Sequence, residues 1–139
     1  MDLETIKRLR ELKEKKEKIE EQIKSTSTIN DISLIGKIFE MFANIVGGDF
    51  SPMHCSIENR KKFFLVIISL YCPMYFTGSK MSWGVRKEIA SLFKYNSQTN
   101  VSNLCHNAVD QYLVYKDLRL EINPIITEIV SRLKKEGCI

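Results

Sequence analysis

The longest apolar run of the chain, FFLVIISLYCPMYF, occupies residues 63–76 and must lie away from water. A helix that spans a bilayer needs about 20 apolar residues, and Pro73 interrupts this run, so we expect no membrane segment. The residues are apolar on every side, which is typical of a helix enclosed by a core. The pattern therefore predicts a central helix over 56–71, capped by Ser56, in a small soluble domain. Its first turns carry a basic cluster, interpreted as a solvated helix end with phosphate contact as the alternative, made of Arg60, Lys61 and Lys62.

Four other segments show the apolar periodicity of amphipathic helices. They cover residues 32–46, 84–96, a long stretch from Ser97 or Thr99 to Ile122, and 124–136. Gly47 predicts a left-handed end for the first of them, and Asn123-Pro124 predicts the start of the last. Since no segment alternates in the manner of a strand, we predict an all-α bundle of about five helices over residues 27–139, with a helix-turn-helix-like corner.

A charged helical arm over residues 1–26 is predicted to precede this bundle. Its residues 2–24 are mostly strong helix formers, with Asp2 as cap, and eight basic residues nearly cancel seven acidic ones. A heptad-like stripe runs along the arm and consists of Thr5, Leu9, Leu12, Lys16, Ile19 and Ile23. Two interpretations stay open: a solvated arm lying on the domain, or a short coiled coil that joins copies of the chain in a homo-oligomer, which the core could also mediate.

The net charge of +4 favours anionic partners. The cysteines are not spaced as metal ligands, and only two histidines accompany them, so we expect no metal and no other cofactor. The four cysteines are Cys55, Cys72, Cys105 and Cys138. No signal peptide is evident, which predicts reduced thiols in the cytoplasm of a bacterial cell.

Catalysis has little support in the sequence. The chain lacks a glycine-rich phosphate loop and the motifs of metalloproteases and serine hydrolases. Cys105 and His106 are neighbours on a predicted helix, so their side chains diverge by about 100° and do not form a nucleophile–base pair. We therefore expect a protein that is not an enzyme.

The most informative stretch for function is EIASLFKYNSQTNVSNL, residues 88–104. An amphipathic helix ends there in a short polar connection, and a second helix follows almost at once. Ala90 is a small residue at the expected close crossing of the two helices, and Val101 points back into the angle between them. Residues 84–108 thereby resemble the helix-turn-helix family of DNA-binding proteins, although Lys94 stands where that family usually has glycine and the connection is one residue longer.

This resemblance implies that the second helix places its first turns in the major groove of duplex DNA, in a regulator or a packaging-type accessory protein. The candidates for base contacts are Gln98, Thr99, Asn100, Ser102, Asn103 and His106. The candidates for phosphate contacts are Lys80, Arg86, Lys87 and Lys94. Between residues 80 and 94 only Glu88 opposes these four bases, which leaves a local net charge of +3.

A second interpretation is also open, in which the corner serves packing alone. Outward Asn, Thr and Ser side chains are typical of any capped helix start, and neither Arg nor Lys lies between Gln98 and Tyr115. Asp110 is predicted on the same outer face, and Tyr112 and Tyr115 are interpreted as core residues. Residues 71–122 also resemble small proteins encoded by gut Bacteroides and their phages. The alternative function is therefore a non-catalytic structural or adaptor protein of a phage or mobile-element assembly.

Overall fold

Six α-helices form in the computed structural model, which describes residues 2–25 and 29–139, and the side chains of 2–18 and 29–139. They are α1 (Leu3–Ser25), α2 (Ile35–Val46), α3 (Ile57–Tyr71), α4 (Val85–Leu92), α5 (Gln98–Val114) and α6 (Lys116–Lys135). Short 3-10 turns occur at Ile32–Leu34, Pro52–His54 and Pro73–Thr77. No strand occurs within these described residues, so the predicted all-α class is confirmed. The predicted boundary between arm and bundle, at residues 26 and 27, lies outside them.

α3 lies at the centre of the fold, as its composition predicts. Residues 63–68 are all buried, and α3 contacts α2, α5 and α6. The described residues contain no helix that is both long and apolar enough to cross a bilayer. Phenylalanine rings pack edge to face around α3, with centroids 5.0 Å apart for Phe39 and Phe63 and 5.5 Å apart for Phe64 and Phe93. Because Phe93 follows α4, these ring contacts join α4 to the core.

Local capping signals place several helix ends where the sequence predicts them. The Ser56 Oγ accepts the backbone N–H of Asn59 at 3.2 Å, which satisfies a free amide at the start of α3. Gly47 follows α2 with φ +87°, a left-handed conformation that glycine adopts without steric strain. α2 begins at Ile35, later than predicted, because residues 32–34 form a 3-10 turn capped by the Asp31 side chain.

The boundary between α5 and α6 differs from the sequence prediction. α5 ends at Val114 and the chain turns at Tyr115, so the prediction of one helix running to Ile122 was wrong. Pro124 lies inside α6, and the prediction that it begins the last helix was also wrong.

Side chains from α6 bind the end of α5 and stabilise the helix boundary at Val114. The Arg119 Nη1 donates to the carbonyls of Tyr112 at 2.8 Å and Leu113 at 3.0 Å, which lie at the unsatisfied end of α5. The Tyr112 hydroxyl donates to Asn123 Oδ1 at 2.9 Å, so the Asn123 side chain binds α5 and caps no helix. Pro124 is exposed, and it lacks the backbone N–H that would otherwise donate to the carbonyl one turn earlier.

The two tyrosines near this break have different surroundings. Tyr112 is half-buried, and its ring packs on Phe76 with centroids 5.1 Å apart. Tyr115 is 59% exposed, so its predicted place in the core was wrong. The turn at Tyr115 carries its side chain off the inner stripe that a continuous helix would have maintained.

α1 presents apolar side chains to solvent. Leu3, Leu9 and Leu12 are each at least half exposed, and the described side chains of α1, residues 3–18, are all exposed. The helix contacts the Pro73–Thr77 turn. Ile19 and Ile23 of the predicted stripe belong to the part of α1 whose side chains lie outside the described set.

Candidate nucleic-acid interface

The turn between α4 and α5 adopts a conformation that usually requires glycine. Lys94 has φ +56°, one of two non-glycine residues with positive φ among the described residues. The Lys94 N–H donates to the Ser91 carbonyl at 3.2 Å, and the Tyr95 N–H donates to the Ala90 carbonyl at 2.9 Å. These two bonds form the pattern of a helix that ends in a left-handed residue. Lys94 therefore ends α4 in the left-handed backbone geometry that glycine usually adopts at such a helix end.

α5 begins immediately after this turn, and its first turn is open to solvent. Of the two predicted caps, Ser97 is the one used: its Oγ accepts the Thr99 N–H at 3.0 Å. Gln98, Thr99 and Asn100 are exposed, whereas Val101 is fully buried. No other segment within the described residues covers the start of α5.

The buried faces of α4 and α5 include small apolar side chains, which allow the two helices to pack closely. Ala90, Val101 and Cys105 are buried, as the spacing predicts for the first two, and α4 contacts α5. Burial raises the pKa of the Cys105 thiol to about 12, so this thiol is protonated near neutral pH and is a poor nucleophile. All four cysteines are free thiols, and no group of three metal-ligating side chains occurs in the described part of the chain.

An arginine from α3 holds the turn in place. The Arg60 guanidinium lies 5.2 Å from the Phe93 ring centroid and 5.5 Å from that of Tyr95. It donates from Nη1 to the Tyr95 hydroxyl at 2.8 Å and from Nη2 to the Pro52 carbonyl at 3.3 Å. Lys62 pairs with Glu121 at 2.6 Å. The interpretation of a solvated basic cluster was therefore wrong for Arg60, which is an internal contact of the fold.

A groove joins α4 to the start of α5. It has a volume of about 340 Å³ and is lined by residues 81–84 together with Arg86, Lys87 and Gln98. We call it the α4–α5 groove. It brings two phosphate-contact candidates, half-buried Arg86 and exposed Lys87, next to a base-contact candidate. Lys80 is exposed just before the groove, and Lys94 is exposed on the turn outside it.

The later base-contact candidates are less uniform. Asn103 is exposed, but Ser102 is half-buried and its hydroxyl donates to the Gln98 carbonyl at 3.2 Å. His106 Nε2 lies 3.8 Å from Asp110 Oδ2, and both residues line a separate depression beside the Pro73–Thr77 turn. The exposed polar tip therefore consists of residues 98–100 and Asn103, with His106 set apart from the α4–α5 groove.

Trp83 is a surface residue that the sequence interpretation missed. It is 92% exposed and lines the α4–α5 groove. The signal that could have found it is a tryptophan outside every predicted apolar stripe, between the basic residues Lys80 and Arg86.

Comparisons of the chain with models of protein families, with curated proteins and with solved structures find no match.

Proposed function

We propose that residues 85–114, the α4–α5 unit, form a helix-turn-helix element that binds duplex DNA. The start of α5 then enters the major groove, and α4 crosses the sugar-phosphate backbone. The observation that supports this most is the exposed first turn of α5, residues 98–100, directly beside a groove that holds Arg86 and Lys87. The protein acts without catalysis, as a regulator or packaging-type accessory in the cytoplasm of a bacterial cell.

The chemistry of the exposed tip favours adenine over guanine. Gln and Asn side chains can bind adenine through two hydrogen bonds, whereas the usual partner of guanine is arginine. Gln98, Asn100 and Asn103 supply amides, and α5 carries no Arg or Lys. We therefore expect modest sequence preference for A·T-containing sites, with most of the affinity coming from phosphate contacts.

We further propose that the chain forms a homodimer through α1. The exposed stripe of α1, which includes Leu9 and Leu12, matches the seam of a short coiled coil. A dimer carries two recognition helices, and helix-turn-helix dimers bind two half-sites on the DNA. Leu12→Glu should therefore convert a dimer to a monomer in light scattering after size-exclusion chromatography. Lys7→Glu, on the opposite face of α1, is the matched control and should leave the mass unchanged.

Fluorescence anisotropy of labelled duplexes at low and high salt tests DNA binding. Lys87→Ala removes an exposed cation of the α4–α5 groove. The slope of log K against the logarithm of salt concentration should therefore become shallower by about 1, as expected for the loss of one phosphate contact. Gln98→Ala should weaken binding to the preferred duplex by about 1–3 kcal/mol. Lys116→Ala is the control, because Lys116 is the exposed first residue of α6, and α5, about 25 Å long, separates it from Gln98. Unchanged affinity in the first two variants would exclude this binding mode.

A non-catalytic adaptor is the second candidate function, and a specific surface favours it. Leu113, Val114, Tyr115 and Leu120 are each more than half exposed around the α5–α6 turn. Contiguous exposed apolar side chains are typical of protein contacts. This candidate predicts no salt-dependent binding to duplex DNA, so the same anisotropy series distinguishes the two functions.

A further inference from the structure

The only tryptophan of the chain is displayed on a well-anchored turn. Trp83 is 92% exposed, although tryptophan is on average a highly buried residue. Met81 and Val85 on either side of it are buried, and Gly84 has φ +83°, which side chains with a Cβ rarely adopt. The Ser82 hydroxyl also donates to a carbonyl at the end of α3 at 3.3 Å. The buried residues on either side of Trp83, together with the left-handed Gly84 and the Ser82 hydrogen bond, therefore hold the turn with the indole exposed.

The α4–α5 groove beside this indole combines three kinds of group that bind a nucleotide. Arg86 and Lys87 offer cations for a phosphate, and Lys80 adds an exposed charge close by in sequence. Gln98 offers an amide that can both donate and accept hydrogen bonds at the edge of a base. Trp83 offers an aromatic face, and stacking on exposed aromatic rings is how single-stranded DNA is commonly held.

We propose that the α4–α5 groove binds one unpaired nucleotide of DNA, with the base stacked on Trp83 and the phosphate held by Arg86 and Lys87. This inference rests on the proposed function, since the same unit approaches the DNA. In an intact duplex each base is covered on both faces by its neighbours, so no base face is free for the indole. The preferred ligand is therefore a duplex that contains an unpaired nucleotide. Recognition of local DNA structure also agrees with the lack of Arg and Lys on α5.

Three DNAs of matched sequence test this inference: an intact duplex, the same duplex with a one-nucleotide bulge, and the single strand. Anisotropy of the labelled DNA gives the affinity. Emission from Trp83, excited selectively as the sole tryptophan, reports stacking, because a stacked base quenches indole fluorescence. We expect the bulged duplex to bind about tenfold more tightly than the intact one, within the range that stacking of one base supplies, and to quench the emission.

Substitutions of Trp83 test whether its indole causes the preference for the bulged duplex. Trp83→Ala should remove the tenfold preference for the bulged duplex, and Trp83→Phe, which retains an aromatic ring, should keep most of it. Tyr115→Ala is the matched control, because Tyr115 is an exposed aromatic residue at the other end of α5. Its preference for the bulged duplex should equal that of the unmodified chain.

The outcomes separate this inference from the proposed function. Equal affinity for intact and bulged duplexes with unquenched emission overturns the inference and leaves duplex binding in place. A preference that survives in Trp83→Ala overturns it as well. Quenching by bulged and single-stranded DNA without binding of the intact duplex supports the inference and removes the proposed duplex mode. Failure to bind any of the three DNAs overturns both.

Discussion

Replacement of Arg60 by alanine measures how firmly α3 holds the turn that positions the start of α5. The guanidinium contacts the rings of Phe93 and Tyr95, which flank the left-handed residue Lys94. Its two hydrogen bonds reach the Tyr95 hydroxyl and the Pro52 carbonyl. Loss of this one side chain therefore frees the turn from the central helix.

The expected loss of stability follows from these contacts. The two hydrogen bonds contribute about 1 kcal/mol each, because their acceptors are half-exposed and water can partly replace the arginine. The two ring contacts contribute about 0.5–1 kcal/mol each. The Nε atom of Arg60 is buried without a partner, and its removal restores about 1 kcal/mol. Arg60→Ala should thus lower the free energy of unfolding by about 2–3 kcal/mol and Tm by roughly 10 °C.

Urea denaturation followed by circular dichroism gives this free energy by linear extrapolation. Tyr95→Phe removes the hydroxyl and keeps the ring, so it should lower stability by about 1 kcal/mol, and the double variant should show coupling of similar size. Arg10→Ala is the matched control, since Arg10 is exposed on α1 and should change stability by less than about 0.5 kcal/mol. An Arg60→Ala variant as stable as this control would refute the role assigned to Arg60.

Other predictions concern backbone strain, alkaline pH and thiol reactivity. Lys94→Gly should raise the free energy of unfolding by about 1 kcal/mol, because glycine adopts φ +56° without strain. Lys94→Ala keeps a Cβ and therefore the strain, so equal denaturation midpoints for the two variants would contradict a strained Lys94. Burial raises the pKa of Cys105 from its ordinary 9.0 to about 12, so the unfolded chain loses that proton first and stability should fall as pH rises through this window. In a series of denaturation experiments at increasing pH, Cys105→Ala should make the free energy of unfolding fall less steeply, by about 1.4 kcal/mol per pH unit. An unchanged pH dependence in this variant would contradict the raised pKa of Cys105. Iodoacetamide should modify half-buried Cys138 well before buried Cys55 and Cys72, as peptide mass spectrometry after short exposures would reveal; simultaneous modification would contradict the burial.

Much of this fold depends on signals that act within a few residues. Ser56 and Ser97 cap their helices through bonds to amides two or three positions later, and Gly47 ends α2 with a conformation intrinsic to glycine. The burial of residues 63–68 in α3 follows from composition, because removal of apolar surface from water does not depend on which side chains cover it. The sequence by itself therefore determined the all-α class, the central helix and the exposed polar start of α5.

Only the tertiary structure decided the features that depend on distant partners. The chain breaks at Tyr115 because Arg119 and Asn123 fold back onto the end of α5, which helix propensity alone does not reveal. Arg60 binds Tyr95 across 35 positions of sequence, and Trp83 shares a groove with Gln98 although they belong to separate segments. Periodicity reports which face of one helix is apolar. It carries no information on which residue of another segment meets that face, and that pairing is settled only when the helices pack.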